Sequence, residues 1–265
     1  MTGTGDLYLE LRDVSKVFGG VFAVNNLNSN FSKGSVTSII GPNGAGKTTV
    51  LNLITGVLPF DKGEIFFKGR EISKLGPSQI CSLGVARTFQ DLQLFNFLSV
   101  LENVTVGYHR WYRSNLAEIL LHIGRFMKEE KEAIDQAMEI LSLFHLERKA
   151  FELPSSLPLR DRKLLGMARA LATKPELLLL DEPVGGLSTE EVKEVAETIL
   201  KIRDQGVTVL LIEHRMELVM DTSDWIIVLN FGEKIAEGTP YEIQRNEQVI
   251  NAYLGGEAEA AEYDN

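Results

Sequence analysis

Gly41-Pro42-Asn43-Gly44-Ala45-Gly46-Lys47-Thr48-Thr49 is the stretch that decides the fold of this chain. It matches the phosphate-binding pattern G-x-x-x-x-G-K-[ST] and lies between an apolar strand-like run, Val36 to Ile40, and a helix-like run, Val50 to Ile54. Glycines at 41, 44 and 46 let the backbone wrap closely around phosphate oxygens, amide N–H groups point inward, and the following helix adds its positive end. Lys47 then reaches the terminal phosphates and the Thr48 hydroxyl is placed to hold Mg2+. The bland alternative, a glycine turn opening an ordinary helix, is outweighed by the spacing and the setting.

Outward from that loop, the pattern is α/β. Leu7, Leu9 and Leu11 alternate with polar residues as an opening strand, Phe22 to Phe31 continues the β pattern, and Gly63 to Phe67 and Val85 to Phe89 read as further strands. From about Asp91 to Leu157 the period becomes helical: Ser99-Val100-Leu101-Glu102 is a capping box, and Lys128 to Phe144 carries apolar residues at helical spacing. Leu177 to Leu180 is a fully apolar run of the kind buried in a parallel sheet, and Val207 to Ile212 reads as the next buried strand. Ser188 caps a helix expected to run to about Gln205, and Thr239-Pro240 opens another. The acidic tail Glu257 to Asn265 is expected to be disordered.

The chain has 265 residues and a net charge of −10, which argues against broad nucleic-acid contact. A single cysteine, Cys81, excludes an internal disulfide and fits a reducing compartment. No stretch reaches the roughly 18 apolar residues that span a bilayer, so a membrane role is expected to come through a partner.

A phosphate loop alone does not choose a chemistry. The strand Leu177-Leu178-Leu179-Leu180-Asp181-Glu182 narrows the choice, because the carboxyl ends of strands in an open α/β sheet face the ligand crevice. Asp181 is the candidate for the metal shell, and Glu182 is placed to polarise an attacking water. His214 follows the next strand and is expected at the same sheet edge, near the γ-phosphate.

This constellation resembles the ATP-binding cassette (ABC) ATPases, with Gln90 in Arg87-Thr88-Phe89-Gln90 and the run Ala168 to Ala172 in the family's order and spacing. The resemblance implies an α/β P-loop NTPase (RecA-like) core with an N-terminal antiparallel β subdomain and an inserted α-helical subdomain. The implied organisation is 1–90 for the first part of the core, 91–157 for the helical insert, 158–254 for the signature helix and second part, and 255–265 for the tail. It also implies ATP and Mg2+ as cofactors, with the metal held through Thr48, Gln90 and Asp181. Glu182 would be the catalytic base, His214 the γ-phosphate sensor, and Gln90 the link to the insert and the membrane subunits. Phe18 is similar in position to the aromatic residue that stacks on adenine; a core phenylalanine is the alternative.

A narrower similarity, carried by 84–90, Leu94-Phe95, 99–104 and the ending 249–255, points to the ATPases of branched-chain amino acid importers. Such a subunit works as a dimer with a second cassette, in a heterodimer or a homodimer. It sits on two permease subunits at the cytoplasmic face of the membrane, and a solute-binding protein serves the assembly. A lipid or lipopolysaccharide exporter ATPase, and a soluble nucleotide-gated dimerisation module, are the competing readings.

One departure stands out. The family's signature loop, which acts on the partner's ATP, reads close to Leu-Ser-Gly-Gly-Gln, whereas this chain has Leu157-Pro158-Leu159-Arg160-Asp161. Arg160 at the usual glycine would cost about 1–2 kcal/mol if a left-handed backbone is required there. An impaired site is therefore expected; a harmless rearrangement or an arginine that itself stabilises phosphate charge are the alternatives.

Overall fold

The computed structural model describes residues 7–90, 92–112, 114 and 124–253. The acidic tail, Asp91 and most of the polar stretch between Tyr108 and Arg125 lie outside those residues.

Two sheets organise the chain. The opening alternation builds β1 (Leu7–Phe18), which pairs antiparallel with β2 (Val21–Ser32) and with β4 (Lys62–Phe67), and β5 (Arg70–Glu71) closes the order β2-β1-β4-β5. The second sheet has the order β10-β9-β3-β8-β7-β6. Within it β3 (Val36–Ile40), β6 (Val85–Arg87), β7 (Leu177–Asp181), β8 (Thr208–Ile212) and β9 (Trp225–Asn230) are parallel, and β10 (Glu233–Gly238) is antiparallel to β9.

The central strands are apolar on both faces because both faces are covered. Leu177, Leu179, Leu210 and Ile212 pack towards α1 (Lys47–Ile54) and the antiparallel sheet. Leu178, Leu180, Val209 and Leu211 pack towards the helices α3 (Val100–Val106), α4 (Arg125–Leu143), α5 (Leu159–Leu171) and α6 (Thr189–Asp204). A third cluster joins Ile40, Ile226 and Val228 to α7 (Met216–Thr222) and α8 (Pro240–Ile243). Each fully buried leucine of β7 contributes about 1.5–3 kcal/mol of apolar burial, so this strand anchors the sheet whose end carries the acids.

The capping boxes form as expected. Ser99 Oγ accepts from the Glu102 amide while Glu102 accepts from the Ser99 amide, and the same reciprocal pair is made by Ser188 with Glu191 and by Thr239 with Glu242. Among the described residues, 92–157 contain helices and no strand. α2 (Pro77–Ser82) lies just before β6. β6 stops at Arg87, short of the expected Phe89, because it is an edge strand. The Thr88 amide still donates to the Leu179 carbonyl at 2.9 Å, after which the chain leaves β7.

Candidate functional site

β3 ends at Ile40 and α1 begins at Lys47, so the phosphate-type loop leaves the carboxyl edge of the parallel sheet. Its glycines are required by both backbone and space. Gly41 has φ +150°, and a Cβ there would stand 2.1 Å from the Leu229 carbonyl oxygen; at Gly46, with φ +101°, it would stand 2.2 Å from that of Ala23. The loop is thus threaded between β9 and β2, and Ala45 O accepts from the Gly232 amide at 3.1 Å.

Lys47 is buried, and its Nζ donates to the Gly41 and Pro42 carbonyls at 2.8 and 2.9 Å. Burial pulls its pKa below the ordinary lysine range, against the charges of Glu182, Asp181 and Glu213. Asn43, Gly44 and Thr48 face solvent, and Pro42 and Thr49 are half-buried. Phe18, at the end of β1, is 47% exposed, which removes the core-phenylalanine alternative. Its hairpin partner strand touches the loop through Ala23.

The ends of β7 and β8 deliver the acids beside this loop. Asp181 is buried; its Oδ2 accepts from Arg87 Nη2 at 2.8 Å, and its Oδ1 is buried without a hydrogen-bond partner. Glu182 turns into the left-handed region at φ +47°, a conformation costing about 1–3 kcal/mol for such a residue and concentrated at functional sites. Gln90 Nε2 donates to Glu182 Oε2 at 2.8 Å, and His214 Nδ1 lies 3.8 Å from Glu182 Oε1. Gln90 and His214, from separate segments, therefore meet at one carboxylate.

That carboxylate has a rigid mount. The wholly buried Glu213 accepts from the backbone amides of His214, Arg215 and Val184 at 2.9, 3.0 and 3.2 Å, tying the end of β8 to the turn after Glu182. Lys163, on α5, donates to the Glu182 carbonyl at 3.1 Å, and burial lowers its pKa. Sequence reading passed over Arg87 and Glu213. The usable signal was position: a charged residue closing an apolar strand at the carboxyl edge of a parallel sheet has few neighbours except the site.

The orphaned Asp181 Oδ1 suits a magnesium ion. Such an ion takes one or two protein oxygens and fills its remaining sphere with phosphate oxygens and water, so a dedicated cage is not needed. Asp181 and the exposed hydroxyl of Thr48 at the first turn of α1 are the oxygens available.

The segment Leu157 to Asp161 stands elsewhere. Among the described residues no hydrogen bond or ion pair joins it to residues 41–49. Pro158 caps α5, and Leu159, Arg160 and Asp161 form its first turn. Arg160 is helical and not left-handed, so the backbone penalty expected for replacing glycine does not arise. Its guanidinium is instead pinned from Nε to Asp161 Oδ1 at 3.0 Å and from Nη1 to Glu194 on α6. Asp161 is itself buried and also pairs with Lys149.

Comparison with known proteins agrees with this geometry. The family described as "ABC transporter" matches residues 24–185, and "Branched-chain amino acid ATP-binding cassette transporter" matches 233–259. The chain is 43% identical over 239 residues to the high-affinity branched-chain amino acid transport ATP-binding protein LivG of Escherichia coli, covering 90% of this chain and 94% of LivG. It is 41% identical over 248 residues to BraF, named likewise, of Pseudomonas aeruginosa, covering 93% and 97%. Among solved structures, an ATP-binding cassette of an ABC transporter in its ADP conformation superposes with a TM-score of 0.82 at 30% identity, covering 94% of this chain and 99% of that one. A dimeric cassette in a post-hydrolysis state bound to ADP and Pi gives 0.74 at 27%, covering 88% and 98%.

Proposed function

The chain belongs to the ABC transporter family of ATPases, and from that membership we propose that it is the ATP-hydrolysing subunit of an importer for branched-chain or other hydrophobic amino acids. The observation that carries the catalytic part is the meeting of Gln90 and His214 at Glu182, one residue from the buried Asp181.

In this reading Gly41 to Thr49 cradles the phosphates of ATP, and Lys47 trades its carbonyl partners for phosphate oxygens. Thr48 and Asp181, with Gln90 nearby, hold Mg2+, which supplies neutralisation of charge on the terminal phosphates. Glu182 accepts the proton of the attacking water. Gln90 and His214 hold that carboxylate and the water in line, and His214 also contacts the γ-phosphate. Phe18 stacks on the adenine. Leu157 to Asp161 act on the nucleotide bound by the partner cassette, as the head-to-tail arrangement of the family requires.

The transport part is assigned to membrane subunits on the strength of the family membership; no helix among the described residues is long and apolar enough to cross a bilayer. Beside Gln90 lies a groove of about 710 Å3 lined by Phe89, Leu92, Phe95, Val106, Arg110 and Arg169. Phe89, Phe95 and the nearby Phe97 remain exposed. We assign this groove to a segment of a permease subunit; in this reading the ATPase chain sits peripherally on the cytoplasmic face of the membrane. The test is reconstitution with candidate permeases, a second cassette and a solute-binding protein. ATP turnover should rise when the binding protein carries leucine, isoleucine or valine; turnover indifferent to every hydrophobic amino acid would overturn the importer assignment.

A further inference from the structure

The Arg87 guanidinium is enclosed by side chains from three elements: α1, the end of β7 and the segment after β6. Nη2 donates to Asp181 Oδ2 at 2.8 Å, and Nη1 donates to Asn52 Oδ1 on α1 at 2.7 Å, with Thr55 Oγ1 at 3.4 Å. One face lies over the Phe89 ring, 4.9 Å from its centroid. The Arg87 and Asp181 side chains are 6% and 2% exposed, so this is a buried ion pair.

A buried ion pair is a poor device for stability alone, because desolvation offsets most of the attraction unless every remaining polar atom is satisfied. Here they are not: Asp181 Oδ1 and Arg87 Nε are both buried without a partner. A pair serving only the core would close those gaps. What the arrangement does achieve is orientation. Arg87 takes one carboxylate oxygen and leaves the other free at the sheet edge, beside the loop that begins at Gly41. The guanidinium is in turn steadied by α1, the helix that follows the loop, and by Phe89 in the groove wall.

We propose that Arg87 is a positioning residue of the metal site, presenting Asp181 Oδ1 to the nucleotide-bound divalent cation, with Asn52 and Phe89 as the props that keep its guanidinium in place. The proposal rests on the ATPase reading of the site. It extends that reading from the residues that touch ATP or metal to one that acts through Asp181.

The experiment measures how much a divalent cation strengthens ADP binding. ADP affinity is determined by calorimetry with and without Mg2+, and Mn2+ binding to the ADP complex is followed by electron paramagnetic resonance, on the full chain and on Arg87→Lys, Asn52→Ala and Phe89→Ala. Metal-free ADP affinity should stay within about twofold in all variants, while Arg87→Lys loses about tenfold or more of the metal-dependent gain, in the range of outer-shell substitutions. Asn52→Ala and Phe89→Ala should lose a measurable but smaller part of that gain than Arg87→Lys, because the guanidinium keeps Asp181 but lacks a prop. Phe89 is half-exposed, so that variant should fold even if Arg87→Lys does not. A full metal-dependent gain in Asn52→Ala and Phe89→Ala, or in folded Arg87→Lys, would overturn the proposal. Failure of the unmodified chain to bind ADP at all would instead count against the ATPase reading.

Discussion

Gln90 and Glu182, 92 positions apart in the chain, are joined by a 2.8 Å hydrogen bond from the Gln90 amide to Glu182 Oε2. The bond leaves Oε1 facing His214 Nδ1. The carboxylate is thus fixed in orientation with one oxygen turned to the histidine, the placement a general base needs to meet its water.

Glu182→Gln keeps the shape and removes the proton acceptor. ATP binding should remain within a few-fold, and turnover by the assembled dimer should fall by about two to four orders of magnitude, the usual worth of a positioned base. Single-turnover hydrolysis in the reconstituted complex checks this; an unchanged rate would remove Glu182 from the role.

The phosphate loop should tolerate no side chain at Gly46. With φ +101° and the Ala23 carbonyl oxygen only 2.2 Å from where a methyl carbon would stand, Gly46→Ala must shift either the loop or β2. Overpacking of this kind costs about 1–3 kcal/mol, plus the left-handed penalty. Nucleotide titration should show loss of binding, and thermal melting should show a lowered Tm.

Arg160→Gly tests the start of α5. Since Arg160 is already helical, glycine relieves no strain there and instead adds helix cost of about 1 kcal/mol. It also leaves the buried Asp161 with Lys149 alone and frees Glu194. A lower Tm is expected. Hydrolysis by the reconstituted complex should rise if the pinned side chain obstructs the partner's nucleotide; an unchanged rate would show that the chain works with arginine at this position.

Alkaline pH should weaken nucleotide binding earlier than an ordinary lysine would. Burial depresses the Lys47 pKa, so the free protein begins to lose this proton below the usual value of about 10.4. Bound phosphate favours the protonated amine, so affinity should be level near neutrality and decline as pH rises through the depressed value. The same burial disfavours folding while the amine is charged, and that cost is relieved, not increased, over the same rise in pH. Calorimetry from pH 8 upward distinguishes the two trends; affinity level to pH 10 would contradict the first.

Much of the site was legible because its residue types are dictated locally. The glycines at 41 and 46 declare backbone and space requirements, and Leu177 to Glu182 declares a doubly covered strand ending in acids. The capping boxes at Ser99 and Ser188, and the proline that opens the helix after Thr239, are likewise chemistry within four residues. What could not be read depended on distant contacts. β10 carries a mixed pattern, and Arg87 looks like any cation until β6 is laid beside β7; the apolar run of β9 was legible and was passed over. At Arg160 the family pattern suggested a left-handed backbone, whereas the helix simply begins one residue earlier, at Leu159.

The sheet order has a consequence for the protein's synthesis. β3 carries the phosphate loop, yet its neighbours on either side are β8 and β9, from the last quarter of the chain. On the ribosome, that strand has no edge to lie against until residue 212 has emerged, and its second neighbour is complete only at residue 230. Pairings this remote in sequence form slowly, and they form together. A nascent chain therefore carries the whole nucleotide motif for most of its synthesis without a shaped loop, and nucleotide capture becomes a property of the finished molecule, withheld from its fragments.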